Sequence, residues 1–186
     1  MTDFARLMSD YFVKYLAGQK GSGSNTMKTY RDTFVQLLEF MDEKKHIRAD
    51  CIEVDSFSYD IINEFLEYLE KEKRVSISTR NNRLAAIRSF FKYTGYHEPK
   101  YLNISTSIRE ISKKKTEGRQ MNYLSVNAME HFLNSFDKTD HKELRCFCIV
   151  LLLYESGARV TELCNVRRYD LHLEKPYTMI LHGEGR

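Results

Sequence analysis

A single arginine, Arg159, follows the bend Ser156-Gly157-Ala158 in the stretch YESGARVTELCNV, and a carboxylate, Glu162, comes three residues later. A guanidinium is planar and always charged, and its fork of N–H donors matches two oxygens of a phosphate. A carboxylate at i+3 on the same helix face can hold that fork in one orientation. The chemistry such a pair offers is electrostatic: capture of an anion, and stabilisation of negative charge that develops on it. The same spacing also describes an ordinary surface ion pair of little energetic consequence. Spacing alone leaves both readings open.

The elements around Arg159 have to place it. Ahead of it, CFCIVLLLY (Cys146 to Tyr154) is apolar on every side, which predicts a helix buried within a domain. Gly157 lets the backbone reverse, and Val160 to Val166 begins a new helix. Arg159 is therefore expected at a helix N-terminus, beside free backbone N–H groups.

A second set of candidate residues lies in the middle of the chain. Residues 1–70 carry 8 Lys and Arg against 13 Asp and Glu, residues 71–120 carry 13 against 4, and residues 121–186 carry 8 against 9. No acid occurs between Arg74 and His97. A helix over Ser78 to Thr94 would put Asn81, Arg88 and Lys92 on one flank, with Arg80 and Arg83 near its start. Such a surface is either a solvated helix face or a face laid against nucleic-acid phosphates, where each neutralised phosphate releases counterions.

Apolar spacing predicts the remaining elements. Phe4, Leu7, Met8, Tyr11, Phe12 and Tyr15 make a helix that stops at Gly18. After the loop GQKGSGSN, with Ser24 or Asn25 as cap, Met27, Tyr30, Phe34, Leu37, Leu38 and Met41 form one stripe, leaving Lys28 and Arg31 off it. A third helix fits Tyr59 to Lys73, with Ile62, Phe65, Leu66 and Leu69 inward. The fourth buries Leu84, Ile87, Phe90 and Phe91 and is expected to end at Gly95. After Pro99, NISTSIREISKKKTEGRQMNYLS reads as a basic inter-domain connector. Ser125 caps a further helix, VNAMEHFLNSF, and Tyr177 to Leu181 has strand character, with Gly183 and Gly185 supplying a turn.

The string YESGARVTELCNVRRYDLHLE resembles the tyrosine recombinase (phage integrase) family, with its Tyr-x-x-Gly-x-Arg-[Ile/Val]-[Ser/Thr]-Glu-Leu box; Val166, Asp170 and Leu171 fit the element that follows loosely. NTMKTYRDTFVQLLEFM and STRNNRLAAIRSFFKYTGY are similar to the family's second and fourth N-terminal helices. NYLSVNAMEHFL is similar to the helix that opens its catalytic domain. The resemblance implies a mainly α chain of a Xer-like, site-specific recombinase. A four-helix SAM-like core-binding domain would occupy 1–97, and a basic linker 98–121. The helical start of an α+β catalytic domain, ending in a β-hairpin, would occupy 122–186.

The family's reaction needs neither metal, nucleotide nor other cofactor. A tyrosine attacks the scissile phosphate of double-stranded DNA and leaves a 3′-phosphotyrosyl bond. Arg159 matches the first catalytic arginine and Glu162 the acid supporting it. Lys28, Arg31, Arg80, Asn81, Arg83, Arg88 and Lys92 would face DNA, with Lys113, Lys114 and Lys115 in the crossing linker. A tetramer on two DNA sites is the implied assembly.

The sequence departs from the family's pattern in two respects. No His-x-x-Arg box and no tyrosine at the nucleophile's place occur in the 186 residues, and Glu184 stands where the hairpin lysine often does. The chain is therefore expected to bind duplex DNA without cleaving it, as a piece of a longer recombinase or a natural short form. A non-catalytic regulator of recombination and a helical protein-interaction domain are the competing readings.

Composition excludes other classes. No apolar run approaches a membrane span, MTDFARLMSDYF is no signal peptide, and six scattered histidines offer no zinc spacing. Four cysteines without CxxC spacing are expected as free thiols, three of them buried, in a cytoplasmic protein. The target sequence, and the choice among integration, resolution, inversion and transposition, are not written in the residues.

Overall fold

A computed structural model describes residues 1–21, 23–116, 118 and 122–183, which divide into two compact units, Met1–Gly118 and Arg119–Arg186. The first unit is helical. Helix α1 (Asp3–Asp10), capped by Thr2 Oγ1 on the Ala5 N–H, runs directly into a wider π-helical stretch, Tyr11–Gln19, in place of the single α-helix expected from spacing. Next come α2 (Ser24–Lys45), α3 (Tyr59–Lys71, capped by Ser58) and α4 (Ile77–His97, capped by Ser76). Their apolar stripes meet in one core. Leu37, Met41, Ile62, Phe65, Leu69, Leu84, Ile87, Phe90 and Phe91 are all closed to solvent. The ring of Phe90 makes edge-on contacts with Phe4, Tyr11, Phe34 and Phe91, so one aromatic side chain of α4 ties α1, α2 and the π-stretch together.

Two expectations fail at the end of α4, for one physical reason. Gly95 was expected to stop the helix; instead the helix continues through it to His97, and Gly95 is buried. A Cβ built on Gly95 would lie 2.7 Å from Ser105 Oγ and 2.8 Å from Ser105 Cβ. Glycine serves here as the contact point of two helices, because a further helix, α5 (Leu102–Glu110), packs against α4 at that position. The segment 98–121, expected as a connector, therefore carries a docked helix whose Ile108 is buried, followed by buried Ile111. Glu117, Arg119, Gln120 and Met121, expected within the same linker, lie outside the described residues.

The second unit consists of α6 (Val126–Asn134), α7 (His141–Ser156), α8 (Val160–Cys164) and a two-stranded antiparallel hairpin. Ser125 Oγ accepts from the Ala128 N–H and caps α6 as expected. Gly157 closes α7 in the left-handed conformation, φ 63°, donating its N–H to Leu153 O. Strands β1 (Leu171–His172) and β2 (Thr178–Met179) pair with Leu171 opposite Met179. The expected burial of α7 is not found. Leu144, Ile149, Leu152 and Tyr154 are exposed, and among the described residues of this unit no apolar side chain is buried. The thiols follow: Cys146, Cys148 and Cys164, expected inside, are exposed, as is Cys51 in the first unit. The described elements of this unit are few, and a helix that is apolar all round needs cover on more than one side.

Candidate nucleic-acid interface and phosphate-binding arginine

The first unit concentrates cations along α4. After α5 the chain runs back antiparallel to α4: Ser105 meets Gly95, Ile111 O accepts from Arg88 Nη2, and Lys114 pairs with Asn81. This return places residues 111–116 as a strap beside the polar flank of α4. Two adjoining clefts result. One, of about 570 Å³, is lined by Ser78, Asn81, Asn82, Lys113, Lys114, Lys115 and Thr116. The other, of about 480 Å³, is lined chiefly by Tyr15, Lys20, Tyr30, Arg88, Lys92, Arg109 and Lys113. Among the described residues neither cleft is lined by a carboxylate.

Arg88 is half-buried there. Burial, then the nearby charges of Arg80 and Arg109, hold its pKa below the ordinary guanidinium value, and its Nε is buried with no protein partner. A cation desolvated among other cations raises the local positive potential, and an anion entering the cleft would relieve it.

The residues expected to face DNA sort into two groups. Lys92, Lys113 and Lys115 are exposed along the clefts, and Lys92 Nζ sits 5.9 Å over the Tyr96 ring. Lys28 and Arg31 are exposed on α2. The others are engaged within the protein. Arg80 is 5% exposed; its Nε lies 3.3 Å from Glu70 Oε1 and its Nη1 donates to Ser112 O, so it is a buried structural cation and not a surface contact. Arg83 Nη1 donates to Thr29 O and Thr33 Oγ1, joining α4 to α2. Asn81 holds the Lys114 backbone, and Lys114 Nζ is 2.8 Å from Glu70 Oε2. The cations that sequence reasoning missed are Lys20 and Arg109, which lie apart in sequence and meet only because the π-stretch and α5 both border α4.

In the second unit, Arg159 is the N-cap residue of α8 and its side chain is 77% exposed. Glu162 binds it twice: Oε2 accepts from the Arg159 backbone N–H at 2.9 Å and Oε1 from Nη1 at 2.8 Å. These two hydrogen bonds, the backbone one foremost, hold the Glu162 carboxyl below its usual range. Glu162 itself is 13% exposed, so a sheltered carboxylate grips one edge of a guanidinium that otherwise faces solvent. A Cβ on Gly183 would stand 3.5 Å from Glu162 Oε1, which puts the chain leaving β2 beside this pair.

That chain is fastened by Asp170, the buried carboxylate of this unit. Its Oδ1 is 2.7 Å from His182 Nε2 and its Oδ2 accepts from the Arg167 N–H at 2.7 Å; the two bonds, His182 first, lower its pKa. Glu184, Gly185 and Arg186, the expected hairpin-lysine region, lie outside the described residues. Among the described residues no three His, Cys, Asp or Glu side chains gather as a metal site, and no helix is long and apolar enough to cross a membrane.

Comparison with known proteins gives this geometry a family context. Residues 10–99 match the family described as phage integrase, N-terminal SAM-like domain. A Sinorhizobium fredii protein named as an integrase/recombinase, y4rD, is 29% identical over 183 residues, covering 98% of this chain and 65% of that protein. Tyrosine recombinase XerC of Staphylococcus aureus is 26% identical over 166 residues, covering 88% of this chain and 52% of its own. The crystal structure of XerH site-specific recombinase bound to palindromic difH substrate shares the fold. Its TM-score is 0.62 at 21% identity, over 95% of this chain and 51% of that one. The chain thus spans between about half and two thirds of the length of these relatives. Over nearly its whole length it is similar to these integrase/recombinase and tyrosine recombinase sequences.

Proposed function

We propose that this chain, a homologue of the tyrosine recombinases, binds double-stranded DNA as the N-terminal and arginine-bearing portion of a site-specific recombinase or integrase. The observation that carries the reading is the pair of clefts along α4, lined by no carboxylate among the described residues, where Lys20, Arg88, Lys92, Arg109, Lys113 and Lys115 gather on the unit that contains the SAM-like match. Such a surface tracks a phosphate backbone and positions a protein on the duplex without reading sequence. Lys28 and Arg31 extend the positive surface onto α2.

Arg159 takes the second role. Held on one edge by Glu162, it donates from its open edge to the non-bridging oxygens of a phosphodiester, and in a complete catalytic centre it would stabilise the charge of the pentavalent transition state. The 186 residues contain neither a His-x-x-Arg box nor a tyrosine at the nucleophile's place. The chain alone therefore holds DNA without covalent attachment. It acts in the cytoplasm, and assembly on DNA as a homo-oligomer, a tetramer on paired sites, belongs to the same proposal.

The test is fluorescence anisotropy with a labelled duplex, comparing the native chain with the double variant Lys92→Glu, Lys113→Glu. Reversing two phosphate contacts should lower affinity by about a hundredfold or more at low salt. Equal binding by the two proteins would refute the assignment of the clefts. Incubation with a nicked suicide duplex should yield no protein–DNA adduct.

A further inference from the structure

Beyond the buried Ile111 and the Lys114–Glu70 pair, the strap is held by its backbone, and Lys113 and Lys115 are left to face the clefts. Asn81 Nδ2 donates to Lys114 O at 2.8 Å, and Asn81 Oδ1 accepts from Lys114 N at 3.1 Å. One side-chain amide thereby makes both hydrogen bonds that a neighbouring strand would make to one residue. Its Oδ1 also accepts from Arg80 Nη1 at 3.3 Å. Arg80 and Arg88 take the two carbonyls upstream, Ser112 O and Ile111 O. Lys114 turns toward α3 and pairs with Glu70, which Arg80 also approaches. Lys113 lines both clefts and Lys115 one of them.

We infer that Asn81 is a positioning residue: it docks the strap so that Lys113 and Lys115 complete the phosphate-binding surface, without itself touching DNA. The inference rests on the reading of the clefts as a DNA surface. Only an amide can do this. An aspartate would set a second oxygen against Lys114 O, and an alanine would leave both backbone groups to water. Lys114 belongs to the clamp, and the two lysines beside it belong to the surface.

The experiment has two arms, each using the full chain. In the first, without DNA, limited trypsin digestion follows cleavage after Lys113 and Lys115 in the native protein, Asn81→Ala and Asn81→Asp, with circular dichroism melting as a control for folding. Loss of both hydrogen bonds in Asn81→Ala should speed cleavage in the strap by about tenfold, and loss of the bond to Lys114 O in Asn81→Asp should speed it too, while the helical core melts as before.

The second arm measures duplex affinity for Asn81→Ala, Lys113→Ala and the double variant. Action through the strap predicts that the two losses do not add, whereas a direct Asn81 contact predicts additive losses. Unchanged cleavage, or additive losses, would overturn the inference. If the native chain binds no duplex, the proposed function fails, and the cleavage arm still decides whether Asn81 is a clamp.

Discussion

Replacing Gly95 by alanine probes the contact that sets the course of the strap. In an exposed helix the change would stabilise by roughly 0.8–1.0 kcal/mol, because alanine restricts the unfolded chain and favours the helix. At this position the new methyl group would lie 2.7 Å from Ser105 Oγ and 2.8 Å from Ser105 Cβ, closer than carbon atoms approach. Ser105 Oγ can rotate aside, but Ser105 Cβ is fixed to the α5 backbone, so α5 itself has to move away from α4. Overpacking costs about 1–3 kcal/mol; with a backbone-fixed Cβ in the way the upper half of that range, about 2–3 kcal/mol, applies, and the net expectation is a loss of about 1–2 kcal/mol. Urea unfolding followed by far-UV circular dichroism measures it, since α4 and α5 belong to the helical unit. Ser105→Gly removes both crowding atoms, so the double variant should recover most of the loss, with a coupling of about 1 kcal/mol or more. A single variant as stable as the native protein, or more so, would show that propensity wins and that the two helices do not cross this closely.

Other expectations follow from the same contacts. Arg80→Ala leaves Glu70 with Lys114 as its remaining partner and opens a hole beside α3, so the first unit should lose about 2 kcal/mol by denaturant unfolding; a change within 0.5 kcal/mol would place Arg80 at the surface. All four cysteines should react with a thiol reagent in the native protein at rates close to those of the unfolded chain; protection of Cys146 and Cys148 would mean that α7 is covered in solution. Glu162 and Asp170 both have lowered pKa values, so their contribution is fully present above about pH 4–5, the unfolded carboxylate range, and is lost as pH falls through the folded values. The backbone amides of Arg159 and Arg167 should report this as NMR titrations that fall below those of unperturbed Glu and Asp carboxyls; titration at the unperturbed carboxylate value would refute the two hydrogen bonds.

Much of this was legible from residue spacing. Ile62, Phe65, Leu66 and Leu69 on α3, and Leu84, Ile87, Phe90 and Phe91 on α4, are buried as periodicity required. The Ser125 cap, the Gly157 bend and the Arg159–Glu162 pairing sit where local rules put them, because each depends on neighbours three or four residues apart. What failed depends on distant partners. Helix α5 was hidden because LNISTSIRE shows few apolar residues, and its burial is supplied by Gly95 and by Ile108 against α4. Arg80 reads as a surface cation until Glu70, on another helix, is brought beside it. Residue type fixed the charge at 80, 83 and 88; packing against α2, α3 and the strap fixed which way each cation faces. The exposure of α7 is likewise a property of how few elements surround it, which its own apolar letters do not contain.

The central claim is that an uncompensated row of cations along α4 and the strap grips phosphates. Its most direct test is the affinity for a duplex measured across a salt series. Lys20, Arg88, Lys92, Arg109, Lys113 and Lys115 stand along the clefts. Engagement of most of them gives a slope of log affinity against log salt of about −5, or about a thousandfold loss from 50 to 200 mM salt. A slope near zero, with binding that salt does not disturb, would contradict the account.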